Sequence, residues 1–158
     1  MTSSWHQLEA GGCRLRQVDW LPAASPRAAA MVVHGHGDCA ERHLTTVHPL
    51  LDRGIACSAV DLPGHGRSPG RRGAVPGFSR IQQVLTSASD AFAQRCGLPV
   101  SGWVVHSMGG MLAIHHLADP LRPPPRFLWL SSPLIDPGAG RWWTARTLTR
   151  WFGGVLPW

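Results

Sequence analysis

The residues with the clearest chemical potential are Val105-His106-Ser107-Met108-Gly109-Gly110, which follow a run that reads as a strand and open one that reads as a helix. A serine on a sharp strand-to-helix turn has its hydroxyl exposed for attack, provided that its neighbours are small where the two backbones crowd. Gly109 meets that need. Val105 stands where the usual G-x-S-x-G pattern has its first glycine, and a plain serine N-cap before a glycine-containing first turn would look much the same. Two other segments bear on the choice. His34-Gly35-His36-Gly37 is a Gly-rich turn whose backbone N–H groups can bind the negative oxygen of a tetrahedral intermediate. Asp61-Leu62-Pro63-Gly64-His65-Gly66-Arg67-Ser68 is a second tight turn after another strand. Three such turns at the carboxyl ends of successive strands are where an open α/β sheet builds its site.

A metal-based alternative starts from His34-x-His36-x-Asp38, which is close to the HxHxDH run of metallo-β-lactamase-type zinc hydrolases, with His106 as a later ligand. Its sixth position is Cys39 rather than His. It also leaves the Asp61–Ser68 turn and the Ser107 turn without a purpose.

The elements that must position these residues alternate short apolar runs with longer amphipathic ones, the pattern of a largely parallel α/β sheet. Residues 28–34, 55–62, 100–106 and 126–131 read as buried strands; the last has the composition of an interior strand covered on both faces and becomes a sheet edge where the following strands are absent. Helices are expected over 41–53, 78–96 and 107–118, the first two closed by Gly54 and Gly97. Residues 14–21 alternate and predict a half-exposed antiparallel strand at the sheet edge.

Composition narrows the classes. A chain of 158 residues with 44% hydrophobic and 15% charged residues, eight Trp and four Phe fits one globular domain rather than a disordered tail. All fifteen cations are Arg, and the net charge of +6 is spread along the chain without an RRM, KH or zinc-finger pattern, so no nucleic-acid partner is expected. Cys13, Cys39, Cys57 and Cys96 form no CxxC pair and read as reduced thiols. The apolar runs are too short to span a bilayer, and the first 20 residues lack a signal-peptide pattern, which predicts a soluble, cytoplasmic protein.

Taken in order and spacing, HGHG, DLPGHGRSPGRRG, HSMGG and LSSPLI resemble the amino-terminal half of an α/β-hydrolase of the monoglyceride lipase and lysophospholipase type, the serine aminopeptidase-like hydrolases. The resemblance implies a mostly parallel sheet flanked by helices with its last strands missing, residues 1–137 forming the core and 138–158 the start of a cap. It makes Ser107 the nucleophile, gives the backbone N–H groups of His36 and Met108 the oxyanion, and leaves His106 without a catalytic part. It calls for no metal or organic cofactor. The implied substrate is a small acyl ester or lipid such as a monoacylglycerol or lysophospholipid.

In that family the acid and base follow the nucleophile in the order Ser, Asp, His. Downstream of Ser107 stand only His115, His116, Asp119 and Asp136. His115 lies eight residues along the same helix, about 12 Å away along its axis, too far to serve as a base. The chain is therefore expected to be truncated and inactive by itself. A non-catalytic remnant that binds lipid or a partner is the other outcome of the same departure.

At the carboxyl end, Leu148, Trp151, Phe152 and Val155 share one helical face, with Arg146 and Arg150 on another. Such a helix over 140–158 either lies in a lipid interface, giving peripheral membrane contact, or buries its apolar face as a cap.

Overall fold

The computed structural model describes residues 1–121 and 123–134. The chain opens with a hairpin, β1 (Thr2–Ala10) and β2 (Cys13–Leu21), joined by Gly11 and Gly12 at φ 58° and 70°. Two consecutive positive φ values are what a two-residue turn needs to match strand twist, and glycine supplies them without steric cost. β1 corrects the expectation for residues 14–21. That segment is not a half-exposed edge: β2 lies between β1 and β4 (Ile55–Val60), with Leu15, Gln17, Val18, Asp19 and Trp20 buried. The edge strand, TSSWHQLEA, is polar and exposed, so its sequence lacks the apolar alternation that marks a strand.

The remaining strands are β3 (Ala28–Val33), β5 (Val100–His106) and β6 (Phe127–Ser131), and the sheet runs β1-β2-β4-β3-β5-β6. β4, β3, β5 and β6 pair in parallel, while β2 joins β4 antiparallel. Parallel central strands are buried on both faces, and β3 shows how. Ala29, Met31 and Val33 pack towards α2 (Phe78–Cys96) and α3 (Met108–Leu117), whereas Ala30 and Val32 pack towards α1 (Leu44–Leu51). α2 contributes Ile81, Val84, Leu85, Ala88 and Phe92 as a continuous buried stripe and ends at Gly97 with φ 71°. The helix expected over 41–53 divides into a 3-10 turn, Ala40–His43, and the short α1, which carries Pro49 and stops before Gly54 at φ 71°. Burial pushes the Cys57 thiol up to about 12, so it is an inert core side chain.

One polar cluster crosses the core. Asp19 of β2 accepts from Ser58 at 2.6 Å and from both Arg95 Nε and Nη2 at 2.7 and 3.0 Å, which ties the last turn of α2 to the antiparallel strand. A buried carboxylate is tolerated only with such partners.

β4 leaves β3 in one direction and β5 in the other, so the loops after β3 and β5 diverge over a crevice at their carboxyl ends. That crevice holds the site. The proposed cap and helix over 138–158 lie outside the described residues. No helix among the described residues is long and apolar enough to cross a membrane.

β6 ends the sheet formed by the described residues, the edge expected of it, with Leu128, Trp129 and Leu130 at 36, 53 and 38% exposure. Only Phe127 is well seated: a Cβ at Gly102 would fall 2.1 Å from its ring, so the far end of the ring covers the bare glycine across the ladder. An apolar edge with neither charge nor proline is a template for another strand. The 158-residue chain should therefore self-associate, and Leu128→Lys with Leu130→Lys should return it towards monomer in light scattering. A wild-type monomer across the micromolar range would contradict the edge argument.

Candidate active site

Ser107 sits between β5 and α3 with φ 50° and ψ −120°, one of two non-glycine residues with positive φ among the described residues. A β-carbon in that region is strained and persists only where its surroundings over-determine it. Here they do. Ser107 N–H donates to Ser131 O at 3.0 Å, and Ser107 O accepts from Gly110 and Leu134 N–H, both at 2.9 Å. Gly109 lets α3 approach the end of β3: a Cβ there would lie 2.4 Å from Val33 O and 2.5 Å from His34 O. Gly110 is equally obliged, since its Cβ would meet Pro133 Cβ at 2.6 Å. The missing first glycine does no harm. Val105 is a buried core side chain, and its methyl stands 3.8 Å from where a Gly110 Cβ would be.

The loop after β3 closes over this turn. A Cβ at Gly35 would come within 3.0 Å of Ser107 Cβ and 3.2 Å of the His106 ring, so glycine is required for the two loops to meet. Between them opens a cleft of about 420 Å³ lined by Gly35, His36, Asp38, His43, Ser107 and Trp129, among others. The backbone N–H of His36 donates to no acceptor among the described residues, and neither does that of Met108. For Met108 this follows from its place at the start of α3, where helix N–H groups have no partner in the preceding turn. Ser107 is half-buried and faces the cleft, and its hydroxyl has no hydrogen-bond partner among the described residues. The arrangement leaves a serine hydroxyl and two N–H groups uncommitted, and groups of these kinds can serve acyl transfer through an oxyanion where they converge.

Several residues that carry chemistry by type are structural by placement. His34 is fully buried, its Nδ1 donating to Gly35 O at 2.8 Å and its Nε2 accepting Leu62 N–H at 3.0 Å. Both ring nitrogens are thereby used, which leaves His34 no lone pair for a metal, and the zinc alternative fails there. Among the described residues no group of three His, Cys, Asp or Glu is placed to hold a metal. Asp61 is buried and accepts from Ala40 N–H at 2.8 Å and Arg67 N–H at 2.9 Å, so it clamps its own turn to the start of the 3-10 segment. Gly66 must be glycine because a Cβ would strike the Asp61 carboxyl. His106 turns its Nδ1 to Ser131 O at 3.1 Å. His115 packs on Phe78, and His116 is buried between Trp103 and Gln82, so neither approaches Ser107.

Sequence reasoning missed one pair in the cleft. His43 Nε2 lies 2.9 Å from Asp38 Oδ2, and Cys39 N–H donates to Asp38 Oδ1. Burial alone would raise the Asp38 carboxyl, but the Cys39 N–H and the neighbouring His43 hold it below the ordinary value. The 3-10 turn that follows Asp38 and Cys39 brings His43 back to the Asp38 carboxylate, a return that a periodicity reading of 41–53 does not contain.

This crevice at a strand-order reversal, with a strained serine between strand and helix, defines an α/β-hydrolase. The chain belongs to the serine aminopeptidase, S33 family, which its residues 24–158 match. It is 33% identical to the monoglyceride lipase of Homo sapiens over 115 residues, 72% of this chain and 38% of that protein. The monoacylglycerol lipase of Paleococcus ferrophilus is 25% identical and superposes with a TM-score of 0.66 over 90% of this chain and 52% of the other. A soluble variant of the Saccharomyces cerevisiae monoglyceride lipase shares the fold at 17% identity with a TM-score of 0.72, over 98% and 52% of the two chains. The chain spans between 14% and 43% of the length of the curated relatives it matches.

His34 also gives the site a pH dependence. Burial lowers its pKa below the ordinary 6.5, against the opposing effects of the Gly35 carbonyl and the Asp61 carboxylate and with His65 adding to the lowering. The unfolded chain therefore binds more protons than the folded one just below pH 6.5, and stability falls as the pH drops through that range. Urea midpoints measured from about pH 7.5 to about pH 5.5 should decline, and His34→Gln should flatten that decline while lowering stability overall. An unchanged slope in the variant would show that another group carries the effect.

Proposed function

We propose that Ser107 is the nucleophile of a carboxylic ester hydrolase, with the backbone N–H groups of His36 and Met108 as its oxyanion hole. The observation that carries this reading is the positive φ of Ser107 on a turn that opens into the cleft. A serine N-cap has no need of that strain, since ordinary N-caps adopt extended backbone angles. Ser107 Oγ attacks the acyl carbonyl carbon, its proton passing to the general base that the family places after the nucleophile and from that base to the leaving alcohol, while the carbonyl oxygen becomes negative against the two N–H donors. The intermediate collapses, the alcohol leaves with a proton, and an acyl-serine ester remains. Water then attacks that ester, releasing the carboxylic acid and restoring the serine hydroxyl.

The substrate is a lipid-like acyl ester, a monoacylglycerol or lysophospholipid. Relatives named monoglyceride lipase support this class, as do Trp129 and Val104 on the cleft wall, which offer an acyl chain an apolar surface. Such a substrate is drawn from a cytoplasmic membrane surface, and the Trp- and Arg-bearing segment over 140–158 is the part that makes the peripheral contact. The reaction proceeds through side chains and backbone N–H groups, with no cofactor called for.

A fluorophosphonate probe tests the assignment, because a single attack by the serine leaves a covalent adduct that mass spectrometry can place, and prolonged labelling does not need the turnover that a chain without the downstream acid and base is expected to lack. One adduct per chain on the peptide containing Ser107, absent from Ser107→Ala, is the expected result. An unreactive wild type, or labelling that survives the substitution, would favour a non-catalytic lipid- or partner-binding protein instead.

A further inference from the structure

A second concavity lies away from the Ser107 cleft and shares none of its lining residues. Arg14 and Arg16 are two apart on β2, so both side chains leave the same face of the hairpin. Arg67 and Arg72 arrive from the Gly-rich segment after β4, and that segment is fastened to β2. Ser68 Oγ accepts Arg16 N–H at 2.9 Å, and Arg16 O accepts Asp61 N–H at 2.8 Å. Four guanidinium groups thereby line one hollow of about 370 Å³, together with Trp5 and Gln7 of β1.

Nearby carboxylates do not satisfy this set. Glu41 takes Arg16 Nη2 at 2.8 Å and is 3.8 Å from Arg67 Nη2. Asp61 is 3.6 Å from Arg16 Nη1, beyond hydrogen-bond reach, and already accepts two backbone N–H groups. Arg16 Nη1 is consequently buried without an acceptor. Glu9 stands opposite Arg14 in the ladder, with its carboxylate bonded to Gln7. Arg72 gives one N–H to Gly66 O at 2.7 Å, and no carboxylate lines the hollow itself.

We infer that this hollow is a binding site for a phosphate monoester, whose phosphoryl oxygens are held by Arg14, Arg67 and Arg72 with Arg16 behind them. Planar guanidinium forks match phosphoryl oxygens in pairs, and their number decides between anions. A carboxylate has two oxygens and one charge, too few acceptors for so many donors, whereas a terminal phosphate offers three oxygens and close to two charges. Trp5, 66% exposed beside the guanidiniums, supplies a flat apolar surface for the organic part of the ligand. The phosphoryl group can belong to a soluble metabolite or to the headgroup of a lipid.

Titration calorimetry on the whole chain at about 150 mM salt, with inorganic phosphate and then glycerol 3-phosphate, tests the site. Both should bind saturably at one site per chain, and Arg14→Gln with Arg67→Gln should weaken binding at least tenfold. Neither side chain supports the fold by a short contact, and a thermal melt verifies that the double variant stays folded. Arg71→Gln removes the same kind of charge from the same loop but outside the hollow and should leave affinity unchanged. Co-sedimentation with phosphatidic acid vesicles against phosphatidylcholine vesicles separates the sources: vesicle binding lost in the double variant assigns a lipid headgroup, and saturable phosphate binding without it assigns a soluble ester. Binding by neither, or an equal loss in Arg71→Gln, would overturn the inference.

Discussion

The structure depends on how closely the first turn of α3 approaches the end of β3. The missing side chain of Gly109 leaves room for Val33 O and His34 O, which would stand within 2.5 Å of a Cβ. That approach bends the chain sharply at Ser107, forces the positive φ, and leaves the serine hydroxyl facing the crevice between the two loops. It also brings the uncommitted N–H at the start of α3 alongside the loop carrying His36. Strain of this kind costs on the order of 1–3 kcal/mol and must be held by neighbouring contacts. The bonds from Ser131, Gly110 and Leu134 to the Ser107 backbone provide them, which is why β6 and the residues after it matter to a turn they do not form.

Polar residues of the Gly-rich segments hold the loops at fixed positions around that turn. His34 reaches from the end of β3 to the N–H of Leu62, and Asp61 reaches back to the N–H of Ala40, so the loops after β3 and β4 are cross-linked in both directions. A buried polar group is costly unless bonded, and each of these is bonded to backbone on the other loop. Histidine and aspartate in such a turn invite a metal or acid–base interpretation, yet their atoms are occupied in holding the backbone. What remains unbonded is the proposed catalytic equipment: one hydroxyl and two N–H groups.

The sheet was legible in the sequence wherever burial dominated. The four central strands are nearly continuous apolar runs, and α2 has an apolar stripe closed by a glycine, so its limits at Phe78 and Cys96 agree with expectation. Where burial is weak the pattern failed. β1 is polar and carries no apolar alternation, so Gly11-Gly12 is the one signal for its hairpin, and the periodicity before α1 does not separate the 3-10 turn from a longer helix. The Ser107 turn could be read because glycine at 109 has a steric purpose, and Val105 reads as a defect only because its side chain packs beside Gly110, five residues further on. The Asp38–His43 pair and the Arg hollow were hidden for a common reason: both are assembled by turns whose geometry a periodicity argument does not contain.

The central claim is that the Gly109 approach holds Ser107 in its reactive geometry, and the rate at which a fluorophosphonate modifies Ser107 in Gly109→Ala measures it most directly. Gly77 is the matched control, since a Cβ there meets nothing within 4 Å and its φ is −48°. The account predicts a loss of about 100-fold in Gly109→Ala, the scale of a misplaced reacting group, and wild-type reactivity in Gly77→Ala. Equal reactivity in the two variants, with Gly109→Ala folded, would contradict it.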